Sequence, residues 1–499
     1  MLTIHRQFHH LSNIAESLPA QIKRKESGPC SFIGVGRNSF KFIRGGSNTP
    51  TLASAWLGVG ACLVRALSQR ARSSHAPTVC YNASGLAPRF FTCLLVLLVT
   101  NFARSVEPTP SRSFESSVQS RVGFDSNPLG VGQPSTQILS DADTLLYAVG
   151  LNLGLTLTPL TATKSTLKLS YAGELTRFDR WSDENYSTHR FGFNGQYTRD
   201  FWKFSGEGSA IYIAGSSDTL AALTTFNANS IPLWRERRQQ WQYRLKLQAQ
   251  ATCGLLFVRG TGTVIAYDYR TKVALGKVAF ADRSDAQAAL DLGWNQTAKS
   301  LWYAGARMGH QDQATIPLPY CEFDYTNNYY RFVAGWEGKP WANTTINFSS
   351  GPDFHHYTSA IDERVFTGGR NRTSLWFEGN FLTRLTSSLT LSGKAAQFDW
   401  LASTGKSAYV DALAEITAAW MLTPVWTASL TTKIHRCDYF PAARDDWESC
   451  YGAGATLKLS PKAVLTLDAF RQDAWSHISP VIGREFQRLY VSFGATLKL

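Results

Sequence analysis

The feature that most constrains this chain is an unbroken two-residue alternation: Leu145, Tyr147, Val149, Leu151, Leu153, Leu155 and Leu157 take every second position, with mostly small or polar residues between them. A strand sends successive side chains to opposite faces, whereas a helix would spread these residues around its circumference. The run exceeds an ordinary soluble strand of about 5–6 residues and suits a tilted membrane crossing. The pattern recurs. Leu167, Leu169 and Tyr171 oppose Lys168, Ser170 and Glu174; Phe191, Phe193 and Tyr197 oppose Arg190, Asn194 and Gln196. Trp241, Tyr243, Leu245 and Leu247 oppose Gln242, Arg244, Lys246 and Gln248, and Val410, Ala412, Ala414, Ile416, Ala418 and Trp420 oppose Asp411, Glu415 and Thr417. One face suits oil and the other water. A sheet edge left open to lipid would strand unpaired backbone groups, so the expected fold is all-β: a closed transmembrane antiparallel β-barrel. Only 17% of residues are charged while 13% are aromatic, which fits strands half in lipid.

Turn signals set the strand number. Short ones fall at Pro159 to Lys164, Arg199-Asp200, Ala251 to Gly254, Asn295 to Lys299, Gly338 to Pro340, Thr383 to Ser387, Thr423-Pro424 and Ser460-Pro461. Hairpins joined there, plus a first strand at Phe114 to Asp125 and a last at Arg484 to Leu499, give about 18 strands, with about 16 the main alternative. Trp202, Trp241, Trp302, Trp336 and Trp426 are candidates for aromatic belts at the membrane interfaces.

The N-terminal region reads differently. Residues 1–112 hold 13 Lys/Arg against 3 Asp/Glu, so they carry +10 of the +13 net charge. Basicity is therefore not a property of the barrel, and no recognition motif accompanies it, so no nucleic-acid partner is expected. Phe90 to Val99 is an apolar run of signal-peptide length behind Arg89, with a cleavage site expected near Ala103. The expected organisation is a disordered or mis-assigned extension at 1–87, a signal peptide at 88–104, a linker at 105–112 and the barrel at 113–499; a basic targeting extension is the alternative for the first segment.

The last strand alternates Leu489, Val491, Phe493, Ala495, Leu497 and Leu499 with Arg488, Tyr490, Ser492, Thr496 and Lys498. It resembles the C-terminal assembly signal of bacterial outer-membrane barrels, although those usually end in Phe or Trp. The opening stretch Arg121-Val122-Gly123-Phe124-Asp125-Ser126-Asn127-Pro128 resembles the first strand and Asp-Ser-Asn corner of the beta-barrel porin 2 family. That resemblance implies a Gram-negative outer-membrane location, lipid around the wall, handling by the barrel-assembly machinery through the C-terminal strand, and a channel for small solutes. Homo-oligomers are compatible with it.

By alternation the lumen receives Lys168, Arg190, Lys203, Arg244, Lys246, Arg259, Arg307, Arg331, Lys394, Lys433 and Arg488, and among acids Glu207, Asp291, Glu378, Asp411 and Glu415. Basic groups slightly outnumber acids on that face, so a mild anion preference is expected, unless the charges merely pair across strands. The long segment from Ser216 to Arg238, with Asp218, Arg235, Arg237 and Arg238, is a constriction candidate. Cys437 and Cys450 flank a stretch read as a loop, Asp438 to Ser449, and are a candidate disulfide.

No catalytic group is expected. The chain has no GxSxG, HExxH or P-loop pattern, and its best local group, Asp353, His355 and His356, reads as a polar surface patch. The cysteines form no CxxC or zinc-finger spacing, so no metal or cofactor is expected. The leading function is passive diffusion of small polar solutes. Surface-polymer export or a structural barrel is the alternative, and an outer-membrane hydrolase the least favoured.

Overall fold

A computed structural model describes residues 111–128, 143–158, 164–216, 238–270, 273–274, 278–279, 282–314, 325–357, 370–401, 408–440, 444–477 and 486–499. The leader and linker expected at 1–110 lie outside them. Eighteen strands form one closed antiparallel sheet. In chain order they are β1 (Ser111–Asp125), β2 (Thr144–Thr158), β3 (Lys164–Phe178), β4 (Tyr186–Arg199), β5 (Trp202–Ser216) and β6 (Arg238–Cys253). Then follow β7 (Leu256–Tyr269), β8 (Arg283–Thr297), β9 (Ser300–Gln313), β10 (Asn327–Trp341), β11 (Thr344–Tyr357) and β12 (Asn371–Arg384). The last six are β13 (Leu389–Leu401), β14 (Ala408–Met421), β15 (Trp426–Phe440), β16 (Arg444–Lys458), β17 (Ala463–Ser476) and β18 (Phe486–Lys498). A two-residue ladder pairs Val273–Ala274 with Val278–Ala279 between β7 and β8.

Every strand pairs with its sequence neighbours, and β1 also pairs with β18 from Ser117↔Lys498 to Asp125↔Tyr490, so the sheet has no free edge. The connections at one end of the wall run to five residues at most, and at the other end all but one, residues 441–443, are longer. Asp200 and Gly254 take positive φ in two-residue turns, the geometry that matches the twist of the flanking strands. Two turns differ from the sequence reading. β6 runs through to Cys253, and the Gly338 to Pro340 signal lies inside β10, whose ladder to β11 shifts register between Gly338 and Trp341. Pro340 has no N–H to give, so the ladder slips there and the turn forms two residues later.

The alternation decides which way each side chain points. Leu145, Tyr147, Val149 and Leu151 are exposed on the outside of β2, while Leu146 and Ala148 are buried inside. The apolar exterior continues with Val118, Leu292, Phe332, Ile416, Leu430 and Phe493. In water such a surface would be a severe liability; in lipid it is the expected covering. No helix among the described residues is long and apolar enough to cross a membrane. On β5, Trp202 and Tyr212 are both outward and ten residues apart. At about 3.4 Å per residue and a tilt near 40° they stand about 26 Å apart along the barrel axis, close to the apolar band of such barrels. Trp302 packs against Trp336 (6.2 Å between centroids) at the turn end, and Trp241 against Tyr212 (5.0 Å) at the loop end, so aromatic residues gather at both rims.

Candidate functional site: the lumenal face

Three sectors of the inner wall differ in what they do with charge. The first runs over β7–β13. Arg259 reaches Asp291 (3.0 Å) and Glu337 (2.7 Å), with its guanidinium over the Tyr303 ring at 4.5 Å. Arg307 and Arg331 face each other in register. Two cations side by side would repel, yet both lie over Trp376, at 5.0 and 4.8 Å, and Arg331 is held 2.5 Å from Asp353. A ring face and a buried acid offset what the pair loses in hydration. His355 Nε2 sits 3.2 Å from Asp353, and Asp399 binds Arg372 at 3.1 Å.

Glycines make room for this layer. Tyr329 lies opposite Gly309 and Tyr303 opposite Gly335, each ring so close that a Cβ on the glycine would fall within 2.3 Å of it. Held flat there, Tyr329 donates its hydroxyl to Asp285 at 2.8 Å.

The sector is thickened by β13. Its ladder to β12 stops at Phe377↔Gln397, and the last residues, Phe398 to Leu401, pack against strands well beyond their neighbour. Gln311 of β9 donates to the Asp399 carbonyl at 3.0 Å, Arg283 of β8 donates to the Leu401 carbonyl, and Tyr267 of β7 meets Trp400 edge-on at 6.2 Å. Tyr325, Tyr357, Leu401 and Ala408 form a buried cluster beside Phe440. At its loop end, therefore, this part of the lumen is filled by side chains.

The second sector, β3–β6, is open over its turn-side half. Lys203, Glu207, Arg244 and Lys246 are exposed, and Lys168 and Arg190 half-buried, all on the inward parity. Ile211 and Ile213 are buried beside them.

The third sector, β14–β18 with β1, is laced by ion pairs, two of which reach its neighbours β13 and β3: Lys394 with Glu415 (3.4 Å), Lys433 with Glu448 (3.5 Å), Arg121 with Glu174 (2.9 Å) and a bidentate pair of Arg488 with Asp125. Asp125 opens the Asp-Ser-Asn corner, which ties the first strand to the last. The Asn127 amide donates to Asp125 Oδ1 (3.1 Å), the Asn127 side chain to the Gln487 carbonyl (3.1 Å), and Ser126 exchanges hydrogen bonds with the Leu489 backbone (2.9 and 2.7 Å). Glu378 stands exposed on β12.

Two sequence expectations need correction. Cys437 lies opposite Asp446 and Cys450 opposite Lys433, four ladder positions apart, and no disulfide joins them. At about 3.3 Å per residue that offset exceeds the Cα reach of a disulfide; the stretch read as a loop is mostly strand, with only residues 441–443 between β15 and β16. Asp353, His355 and His356 are likewise not a surface patch but part of β11: Asp353 and His355 are buried inside, and only His356 faces out, bonded to Asn371 at 2.6 Å. Of the constriction candidates, Arg238 opens β6, while Asp218, Arg235 and Arg237 lie outside the described residues.

Sequence reading also missed a grouping of Asp411, His435 and Cys437 whose ligand-type atoms lie within 4.8 Å of one another. Its signal is a strand-type spacing, His-x-Cys on one strand with an acid opposite, and not the loop spacing of a zinc finger.

No protein-family model matches the chain, nor does any curated protein sequence. Among solved structures the barrel is similar to OpdK of Pseudomonas aeruginosa, crystallised with vanillate, at 11% identity over 78% of this chain and 99% of that one, with a TM-score of 0.38. It is similar to the siderophore receptor PiuA from Acinetobacter baumannii at 10% identity over 79% and 82% of the two chains, TM-score 0.38. It is also similar to Pseudomonas aeruginosa OccK2 (OpdF), solved with glucuronate, at 11% identity over 78% and 98%, TM-score 0.39. These likenesses concern barrel form alone, and no function follows from them.

Proposed function

We propose that this chain is a bacterial outer-membrane channel for passive diffusion of small polar solutes, with a mild preference for anions. The observation that carries the reading is the open sector of the lumen. On β3–β6 the exposed inward cations are Lys203, Arg244 and Lys246, while the exposed acid among them is Glu207, and Glu174 is buried against Arg121. A solute moving along that wall meets a positive field, because three exposed cations stand beside one exposed acid. The filled sector leaves the path to one side of the lumen. The Asp-Ser-Asn corner supports kinship with the beta-barrel porin 2 family, and the closed sheet supports delivery by the barrel-assembly machinery.

Single-channel recording of refolded residues 105–499 in a planar bilayer tests this. Discrete current steps whose reversal potential in a salt gradient shifts toward the anion are expected. The filled loop end of β7–β13 also suits a second reading, a surface-polymer export or structural barrel; an intact barrel carrying no current would favour it and overturn the channel.

A further inference from the structure

Asp411 stands on β14, and His435 and Cys437 stand two residues apart on β15, with Asp411 opposite Cys437 in the ladder. All three share the lumenal parity. His435 Nε2 lies 3.0 Å from Asp411 Oδ1 and 3.5 Å from Cys437 Sγ. A tetrahedral zinc ion, bonded at about 2.0–2.3 Å to oxygen, nitrogen and sulfur, holds its donors about 3.3–3.7 Å apart. The three side chains therefore need only small adjustments to share one centre.

The neighbouring strand supplies an independent observation. Glu448 on β16 is opposite His435 and Asp446 is opposite Cys437, and both are 1% exposed. Neither carboxylate oxygen of Glu448 accepts a hydrogen bond, and its ion-pair partner, Lys433 Nζ, is 3.5 Å away. A buried acid so loosely held is costly, and a divalent cation next to it would offset that cost. Imidazole and thiolate donors favour a borderline or soft ion over magnesium or calcium, which take oxygen.

We propose that Asp411, His435 and Cys437 bind a divalent transition-metal ion, zinc being the reference, with the fourth position open to the lumen and Glu448 balancing charge beside it. This site stands on its own geometry and does not depend on the channel reading.

The test is titration of the full chain, folded in detergent with a non-chelating reductant, with Co(II), followed by competition with Zn(II). One Co(II) per chain is expected, with a near-ultraviolet thiolate-to-cobalt absorption that Zn(II) abolishes. Cys437→Ser should remove that band, and His435→Ala should weaken binding by at least about 100-fold. A variant keeping Cys437 as its sole cysteine should retain both band and stoichiometry. Heat-dependent gel mobility reports whether each variant is still a folded barrel. No Co(II) binding by the folded full chain at micromolar concentration overturns the proposal, as does a band that survives Cys437→Ser or disappears from the sole-cysteine variant while the barrel stays folded.

Discussion

Along β7–β13 the inward arginines lie on aromatic rings and against buried acids, whereas along β3–β6 Lys203, Arg244 and Lys246 stand exposed beside a single exposed acid, Glu207. Both flanks obey the same alternation. What separates them is what faces each charge: on β9 and β10 the glycines at 309 and 335 let tyrosine rings lie flat, and the end of β13 closes over them. On β3–β6 no such cover is brought across among the described residues. Charge in the covered flank is bound up in structure, and Lys203, Arg244 and Lys246 in the other flank keep their exposure.

Four substitutions test that contrast, from the largest expected effect to the smallest. Asp353→Ala should destabilise the folded barrel by about 3–5 kcal/mol, because it leaves Arg331 buried without its acid; the urea midpoint of the folded, heat-modifiable band measures it, and a loss under about 1 kcal/mol would mean the belt is wet and loosely held. Trp376→Ala should cost about 3 kcal/mol and also raise single-channel conductance, since the ring supports two arginines and fills part of the lumen. Unchanged conductance would place the conducting path wholly on the open side. Arg244→Glu combined with Lys246→Glu should change stability by no more than about 0.5 kcal/mol yet move the reversal potential toward cations. If stability falls as it does for Asp353→Ala, the two flanks are not different in kind. Cys450→Ser should leave both stability and the non-reducing gel mobility of the barrel unchanged, since no disulfide is lost.

The strand number and the facing of nearly every residue were legible in the sequence because both follow from a strictly local rule, one residue out and the next one in. The corner at Asp125 was legible as a motif, but not its bonds to Gln487, Arg488 and Leu489, which lie at the other end of the chain. The belt was hidden for the same reason. Alternation says that Arg259, Asp291 and Glu337 all point inward, and it is register that brings the three together. Cys437 and Cys450 were misjudged because hairpin length decides register, and Asp438-Tyr439-Phe440 continue the strand where polar residues nearby suggested a turn. The inward path of Phe398 to Leu401 has no local signature at all; it depends on partners from β7 to β9 that are far away in sequence.

The corner has a consequence for how the molecule comes into being. Arg488 and Asp125 are 363 positions apart, as are Leu489 and Ser126, and each is a neighbour only in a completed ring. Joining ends across so long a flexible segment costs about 5 kcal/mol in chain entropy, whereas each intervening hairpin closes over 21 residues or fewer. The hairpins therefore come first, and the clasp engages when they have already brought the two termini of the sheet together. It acts as a latch: it can shut only on a wall whose every stave is already in place.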